Sequence, residues 1–472
     1  MNEFENGVSM PVSPMADYFS SSVMSVFILG VLESEIPIDD SRAEPLLKDI
    51  FLPINTRFSS ILMVDEKGKK RWKEVDVCLK EHIKIPIFPT TNMPHKLYDD
   101  NLNEYMSDIA MEQLPLEKPL WEMHIFKYPT SSAAGTFIFK LHHALGDGYS
   151  LMTTLLSCVQ RADNPSIPIN FPSSRSSVES KFNIKTMLKK SPQTVSNVFK
   201  SVFDFGWSVL KASLIADDKT PIRSGHNDVG FRPITISNVS LSLDSIKEVK
   251  NKLKVSINDA LVGIIFLGIQ LYMETMNHKL SKAETTALVL LNTRKLRAYK
   301  PVKEMLDANS EAPWGNRFHF MHVPIPKLND ASSLNPLEFV LEASKKIKRK
   351  RNSLAVPGTG MLLALVNRIK GSEAAARYVY KILNNSSLSI SHMVGPLEQV
   401  ALFNHPIKGF YFMTVGLSQS ITVTITSYMG YLRVGFGVEK GFIDEHQFKS
   451  CFETALEMML KAARNIATET KQ

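Results

Sequence analysis

The chain has 472 residues, 44% of them hydrophobic, with three cysteines, a formal net charge of +8 and a pI near 9.1. That length can bury two cores, and Cys78, Cys158 and Cys451 lie too far apart for metal or disulfide spacing, as expected of a reducing compartment or of no redox role. The charge asks for an anionic partner; without zinc spacing, an RNA-binding signature or a recognition-helix pattern, nucleic acid is set aside, leaving coenzyme A phosphates or an anionic membrane face.

Taken in chain order, residues 1–10 carry Glu3 and Glu5 and no apolar core, so no secretory leader is expected and the active portion should meet the cytosol. The N-terminal part alternates strands at 23–32, 61–64, 121–127 and 136–141 with a helical stretch at 101–113. The last of these strands runs into Phe137-Ile138-Phe139-Lys140-Leu141-His142-His143-Ala144-Leu145-Gly146-Asp147-Gly148. This reads as a short apolar strand ending in two histidines, a tight turn, and a helix opening at Tyr149-Ser150.

A strand end abutting a helix start can present a side chain into a cleft on a fixed backbone. Histidine exchanges a proton near neutral pH, and the Asp-Gly pair supplies a helix N-cap and a residue tolerant of unusual backbone angles. The pattern suggests a positioned general base, although a histidine at a strand end is often structural and Asp-Gly is a common turn. Two adjacent histidines do not reproduce the i, i+4 spacing of a zinc helix, so no metal is expected. No Gly-x-Ser-x-Gly elbow is present, which disfavours a hydrolase triad.

Residues 162–180, rich in Pro and Ser, read as a linker. Residues 187–216 interleave Val195, Phe199, Phe203, Trp207 and Leu210 with Lys189, Lys190, Lys200 and Lys211. This suits a helix lying in a membrane interface or one packed on the protein body; peripheral attachment is the preferred reading, and Asp204 and Lys211 argue against a span. Further on, helices are expected near 245–252 and 448–467, and residues 260–273 read as a buried helix too short to cross a bilayer. The basic run Lys345-Lys346-Ile347-Lys348-Arg349-Lys350-Arg351 fits a solvated helix face, a phosphate site or a headgroup contact. Residues 409–432, with threonines at 422, 424 and 426, read as paired strands of a half-buried sheet. Composition alone gives mixed α and β in two units.

Several blocks together resemble the plant branch of the wax ester synthase/diacylglycerol acyltransferase family, over nearly the whole chain. They are Pro11-Val12-Ser13-Pro14-Met15-Ala16-Asp17-Tyr18-Phe19, Pro115-Leu116-Glu117-Lys118-Pro119-Leu120-Trp121-Glu122, the histidine motif, Asn258-Asp259, Asn292-Thr293-Arg294, Gly315-Asn316 and Ser389 to Pro396. Their order and spacing around the histidines carry the likeness. Asp204-Phe205-Gly206-Trp207-Ser208 resembles a block that sister plant acyltransferases carry far toward the C-terminus, and its early position favours the wax-synthase branch.

The resemblance implies an α/β fold of two similar-sized, chloramphenicol-acetyltransferase-like halves with a substrate tunnel at their interface. The expected divisions are 1–162, a linker and membrane-associating region at 163–230, and 231–472. It implies an acyl-CoA-dependent O-acyltransferase making wax esters from long-chain alcohols and, as a lesser activity, triacylglycerol from diacylglycerol. Acyl-CoA is then co-substrate, with no cofactor, and the expected location is the cytosolic face of the endoplasmic reticulum membrane, with the plasma membrane as a second site. Another alcohol acceptor, or a silent lipid-binding protein, remains as an alternative.

His143 is implied as the general base and no covalent intermediate is needed, since the thioester is already activated. His142 sets the turn or lines the pocket, and Asp147 is structural, paired with Arg294, with Gly148 relieving the turn. Asn258, Asn316 and Ser391 are carried as candidates for substrate or oxyanion contact. His392 stands where the family block has Asn, which puts a polar role for that side chain in question.

Overall fold

Sixteen strands form in the computed structural model, which describes residues 10–89, 95–171, 206–207, 209–211, 214–226, 232–294, 299–307, 309–328, 335–351, 353 and 355–469. In chain order they are β1 (Met10–Pro11), β2 (Phe27–Ser34), β3 (Ser60–Val64), β4 (Lys70–Glu74), β5 (Ile83–Lys84), β6 (Trp121–Phe126), β7 (Gly135–His142) and β8 (Gln160–Arg161). The second half adds β9 (Ile234–Ser242), β10 (Thr286–Asn292), β11 (Phe318–Pro324), β12 (Leu388–Val394), β13 (Val400–Leu402), β14 (His405–Val415), β15 (Ile421–Tyr428) and β16 (Tyr431–Glu439).

They build a seven-stranded sheet in the order β5-β6-β7-β2-β14-β13-β8, a six-stranded sheet in the order β11-β10-β12-β15-β16-β9, and a small β1-β4-β3 sheet. The helices that matter below are α1 (Pro14–Phe19), α2 (His95–Met111), α3 (Gly148–Cys158), α4 (Leu243–Leu253), α5 (Ile257–Asn277), α6 (Pro336–Arg351), α7 (Ala355–Lys370), α8 (Ser372–Asn384) and α9 (Glu445–Glu469). Mixed α/β structure in two sheet-rich halves is the architecture expected from the sequence.

β14 departs from chain order. It pairs with β2 in the seven-stranded sheet, Phe410 opposite Leu32 and Phe412 opposite Gly30, while β12 and β15, which flank the β13–β14 pair in sequence, belong to the other sheet. The expected pairing within 409–432 therefore has to be corrected. Both segments are strands, but β14 and β15 lie in different sheets, and β15 is buried on both faces rather than one. A period of two identifies a strand without naming its partner. Thr424 Oγ1 donates to the Phe412 carbonyl oxygen, a contact between the two sheets.

The strand expected at 23–32 also shifts. It begins at Phe27, after a turn through residues 20–25, and continues through buried Glu33, whose carboxylate Arg433 reaches at 2.6 Å.

α5 opens with a capping box, Ser256 Oγ accepting from the Asp259 N–H and the Asp259 carboxylate from the Ser256 N–H. Its apolar surface packs under α4, α6 and α9 on the six-stranded sheet. At 21 residues it is longer than expected and apolar enough to cross a bilayer, yet 78% of its most apolar window is buried inside the protein, as a core helix is. A third apolar cluster joins α1, α7 and α8 through Tyr18, Phe19, Val379 and Leu383, with Phe318, Phe320, Leu363 and Val366 packed against it. Of the amphipathic stretch at 187–216, only residues 206–207, 209–211 and 214–216 fall within the described part.

Candidate active site

β7 sits between β6 and β2 and hydrogen-bonds to both, so its end is fixed. His142 closes the strand opposite Phe27, and its Nδ1 accepts from the Ala144 N–H at 3.0 Å. Nδ1 is then unprotonated, and Nε2 carries the hydrogen that faces Ser25 Oγ at 3.3 Å. Burial, with the neighbouring His143, pushes its pKa down to about 3. Both ring nitrogens are spent on the turn.

His143 follows, its N–H donating to the Val26 carbonyl at 2.8 Å. Its ring packs beside Phe19 and Phe318, at centroid distances of 4.6 and 5.7 Å, and those two rings also meet each other at 6.0 Å. Asn316 holds it. Asn316 Nδ2 donates to the His143 carbonyl oxygen at 2.9 Å, and Asn316 Oδ1 lies 2.8 Å from His143 Nδ1. A carbonyl can only accept, so the amide is oriented with its NH₂ toward the backbone and its oxygen toward the ring. Nδ1 therefore carries the proton, and the lone pair is on Nε2. Burial lowers the pKa of this imidazole, outweighing the opposing pull of Asp147 and Asn316. His143 is a neutral base with one defined basic atom.

Asp147 points away from the imidazole and toward its support. As N-cap of α3 it accepts from the Ser150 N–H at 3.0 Å. Arg294 meets it with a fork, Nη1 to Oδ2 at 2.8 Å and Nη2 to Oδ1 at 3.0 Å, both side chains being buried. The Arg317 N–H donates to Asp147 Oδ2 at 2.9 Å, while Arg294 also reaches the carbonyls of Pro313 and Gly315. Ser150 Oγ accepts from the Gly315 N–H. Gly315, at φ +108°, takes a conformation few L-residues adopt and so turns Asn316 toward His143. The Asp147–Arg294 pair thus fixes the loop that carries Asn316, and Asn316 fixes the base.

Two sequence expectations change. Gly148 does not have a left-handed φ, so relief of a strained turn is not its role. A Cβ there would lie 2.5 Å from Met393 Sδ; the glycine lets β12 approach α3 closely. Asn258 lies exposed in the first turn of α5 and is not among the residues hydrogen-bonded to His143. Its neighbour Asp259 uses that block for capping. Asn316 belongs to the site, but as the partner of the histidine. Ser391 is half-buried on β12, on the face it shares with Met393 by strand alternation. Burial lowers the His392 pKa to about 4. Trp314, whose Nε1 donates to the Leu145 carbonyl at 2.9 Å, and Arg57, which donates to the same oxygen at 3.2 Å, complete the turn. Both come from segments far away in sequence, and no local pattern marks them.

A narrow apolar pocket runs between the seven-stranded sheet and α3. Gly30, Phe139, Phe410 and Phe412 form its floor, and Leu151 and Leu155 its roof. It reaches the histidine motif at Gly148 and Met393. Met393 is the only contribution of the six-stranded sheet among the lining residues; the others come from the seven-stranded sheet, including β14 of the second half, from α3 and from Phe51. Its apolar walls suit a hydrocarbon chain rather than a polar group. Among the described residues no cluster of His, Cys, Asp and Glu could hold a metal ion, and the three cysteines are free.

Residues 66–261 match the family model of the wax ester synthase/diacylglycerol acyltransferase catalytic domain, and residues 314–460 that of the WS/DGAT C-terminal domain. The chain is 28% identical to wax ester synthase/diacylglycerol acyltransferase 4 of Arabidopsis thaliana, over 97% of this chain and 91% of the relative. It is 27% identical to number 6 of the same plant, over 98% and 95%. In structure it is similar to the wax ester synthase/diacylglycerol acyltransferase of Marinobacter aquaeolei VT8, with a TM-score of 0.58 at 15% identity, covering 96% of this chain and all of that one. The starter condensation domain of rhizomide synthetase shares the fold at a TM-score of 0.54 and 10% identity, over 97% and 94%. The two matched domains together span more than half of the chain, which belongs to the wax ester synthase/diacylglycerol acyltransferase family.

Proposed function

We propose that this protein transfers a long fatty acyl group from coenzyme A to a long-chain alcohol, giving a wax ester, and to diacylglycerol as a lesser acceptor. The observation that carries the reading is the neutral, doubly bonded His143 with its lone pair on Nε2. Nε2 takes the hydroxyl proton as the alcohol oxygen attacks the thioester carbonyl. The C–S bond then breaks, and the imidazolium returns that proton to the leaving thiolate, so ester and free coenzyme A form without a covalent enzyme intermediate. A base placed in this way typically contributes roughly 10²–10⁴ in rate. The names of the relatives and the apolar pocket beside the motif favour long-chain substrates over a small polar acceptor. Ser391, on the same strand face as Met393, is the hydroxyl proposed to meet the developing oxyanion. We place the reaction at the cytosolic face of the endoplasmic reticulum membrane, where acyl-CoA in water meets acceptors dissolved in lipid.

The test is ester formation by membranes carrying the protein, supplied with radiolabelled palmitoyl-CoA and either hexadecanol or diacylglycerol. Labelled wax ester exceeding triacylglycerol is expected. Folded protein that makes neither product would overturn the reading.

A further inference from the structure

α7 leaves one face uncovered. Met361, Leu365 and Ile369 recur at every fourth position along it, at 74%, 51% and 70% exposure, so they form a single apolar stripe in water. The opposite side of the helix is committed to the protein. Leu363 and Val366 pack on the cluster containing Phe19 and Phe318. At Gly360 the helix lies so close to His319 of β11 that no Cβ would fit. The stripe is therefore displayed by a helix anchored from behind.

The charge around it is one-sided. From Lys345 to Lys381 the sequence carries ten Lys and Arg and a single acidic residue, Glu373. That net +9 exceeds the +8 of the whole chain, so the rest of the protein is close to neutral. Arg368 and Lys370 flank the stripe on α7 itself, Lys345, Lys348 and Arg351 are exposed on α6, and Arg377 and Lys381 on α8. A helix with an apolar face bordered by cations has the composition of one lying in a bilayer interface. A second copy of the chain fits less well, since pairing the stripes would bring two predominantly cationic surfaces together.

We propose that α7 docks this protein on an anionic lipid bilayer, with Met361, Leu365 and Ile369 at the acyl-chain boundary and the flanking cations on headgroup phosphates. The docked helix packs on the apolar cluster that includes Phe19 and Phe318, the two rings beside His143. Docking therefore brings one wall of the catalytic cleft to the lipid surface, from which an apolar acceptor can enter without crossing water. That consequence rests on the acyl-transfer reading above; the docking itself does not.

Flotation of the full chain with vesicles of phosphatidylcholine, alone or mixed with phosphatidylserine, tests it. Wild type should float with the anionic vesicles and less at high salt. Leu365→Glu with Ile369→Glu, and separately Arg368→Glu with Lys370→Glu, should each cut the floated fraction roughly tenfold. Val64→Glu, at a 59% exposed apolar position on the small sheet, should float as wild type does. Without vesicles, both α7 double variants should keep wild-type ester formation with a water-soluble short-chain alcohol. Wild type that does not float, variants that float undiminished, or a wild-type dimer abolished by the stripe variants would overturn the proposal. Flotation as expected from a chain that makes no ester would leave docking in place and remove the acyl-transfer reading instead.

Discussion

Asn316 and His143 are bonded to each other twice, amide to carbonyl at 2.9 Å and ring nitrogen to amide oxygen at 2.8 Å, across 173 residues of chain. This reciprocal pair determines which nitrogen of the histidine is basic. Asn316→Leu should keep the fold and lose about 10²-fold in kcat with little change in KM, because the imidazole loses its orientation and its tautomer. Asn316→Asp should do something different. A carboxylate beside Nδ1 favours the imidazolium, so the His143 pKa rises and the acid limb of the rate–pH profile moves to higher pH. A pH profile of the two variants decides; an unmoved limb in Asn316→Asp would count against the assigned contact.

Asp147 and Arg294 act one step further back. Their bidentate pair is buried and holds both the start of α3 and the loop bearing Asn316. Asp147→Ala leaves an uncompensated guanidinium inside the protein and should cost about 3–5 kcal/mol of stability, visible as a lower melting temperature and less soluble protein. Arg294→Lys should also destabilise, since an ammonium cannot form the fork. An Asp147→Ala variant that melts like wild type and loses only turnover would contradict the structural role.

Gly148 and Met393 meet where the pocket reaches the motif. Gly148→Ala should displace the Met393 thioether into the pocket, because the added methyl would stand 2.5 Å from Sδ. The thioether is flexible, so folding should survive. Activity on long-chain substrates should fall more than activity on short ones. Adding Met393→Ala should restore it. A Gly148→Ala enzyme with an unchanged chain-length profile would show that the pocket does not hold substrate.

Much of the site was legible because it is local. The strand end, both histidines, Asp147 and Gly148 lie within one short run, and their residue types announce a strand, a turn and a helix cap. The partners lie far away in sequence. Arg294 and Asn316 fell in recognisable blocks, but only the positive φ of Gly315 and the Ser150–Gly315 bond show that Asn316 faces His143 rather than substrate. The block that carries Asn258 has a local structural use, the capping box made by Asp259, which a sequence pattern does not separate from a role in a site. β14 was legible as a strand and not as a member of the first sheet, since alternation carries no information on which edge it will meet.

Buried histidines also set an acid limit. Burial holds His142 and His322 down at about 3 and His392 at about 4, against about 6.5 in the unfolded chain. Above pH 7 they are neutral in both states and contribute no pH dependence. As pH falls below 6.5 the unfolded chain takes up protons that the folded one refuses, so each removes about 1.4 kcal/mol of stability per pH unit until its folded pKa is reached. Neither ring nitrogen of His322 finds a hydrogen-bond partner among the described residues. His322→Met should therefore flatten the stability loss between pH 6 and about 4.5 by one histidine's share. Denaturant unfolding across that range measures it, and an unchanged slope would contradict the assignment.

The central claim is that His143 removes the acceptor's proton. The most direct measurement is ester formation by His143→Ala beside wild type, with palmitoyl-CoA and hexadecanol, at matched expression and with melting curves for both. Loss of product by about 10² or more, with the melting temperature preserved, is the predicted result. Wax ester formed at the wild-type rate by the folded variant would contradict it, and the base would have to be sought elsewhere in the cleft.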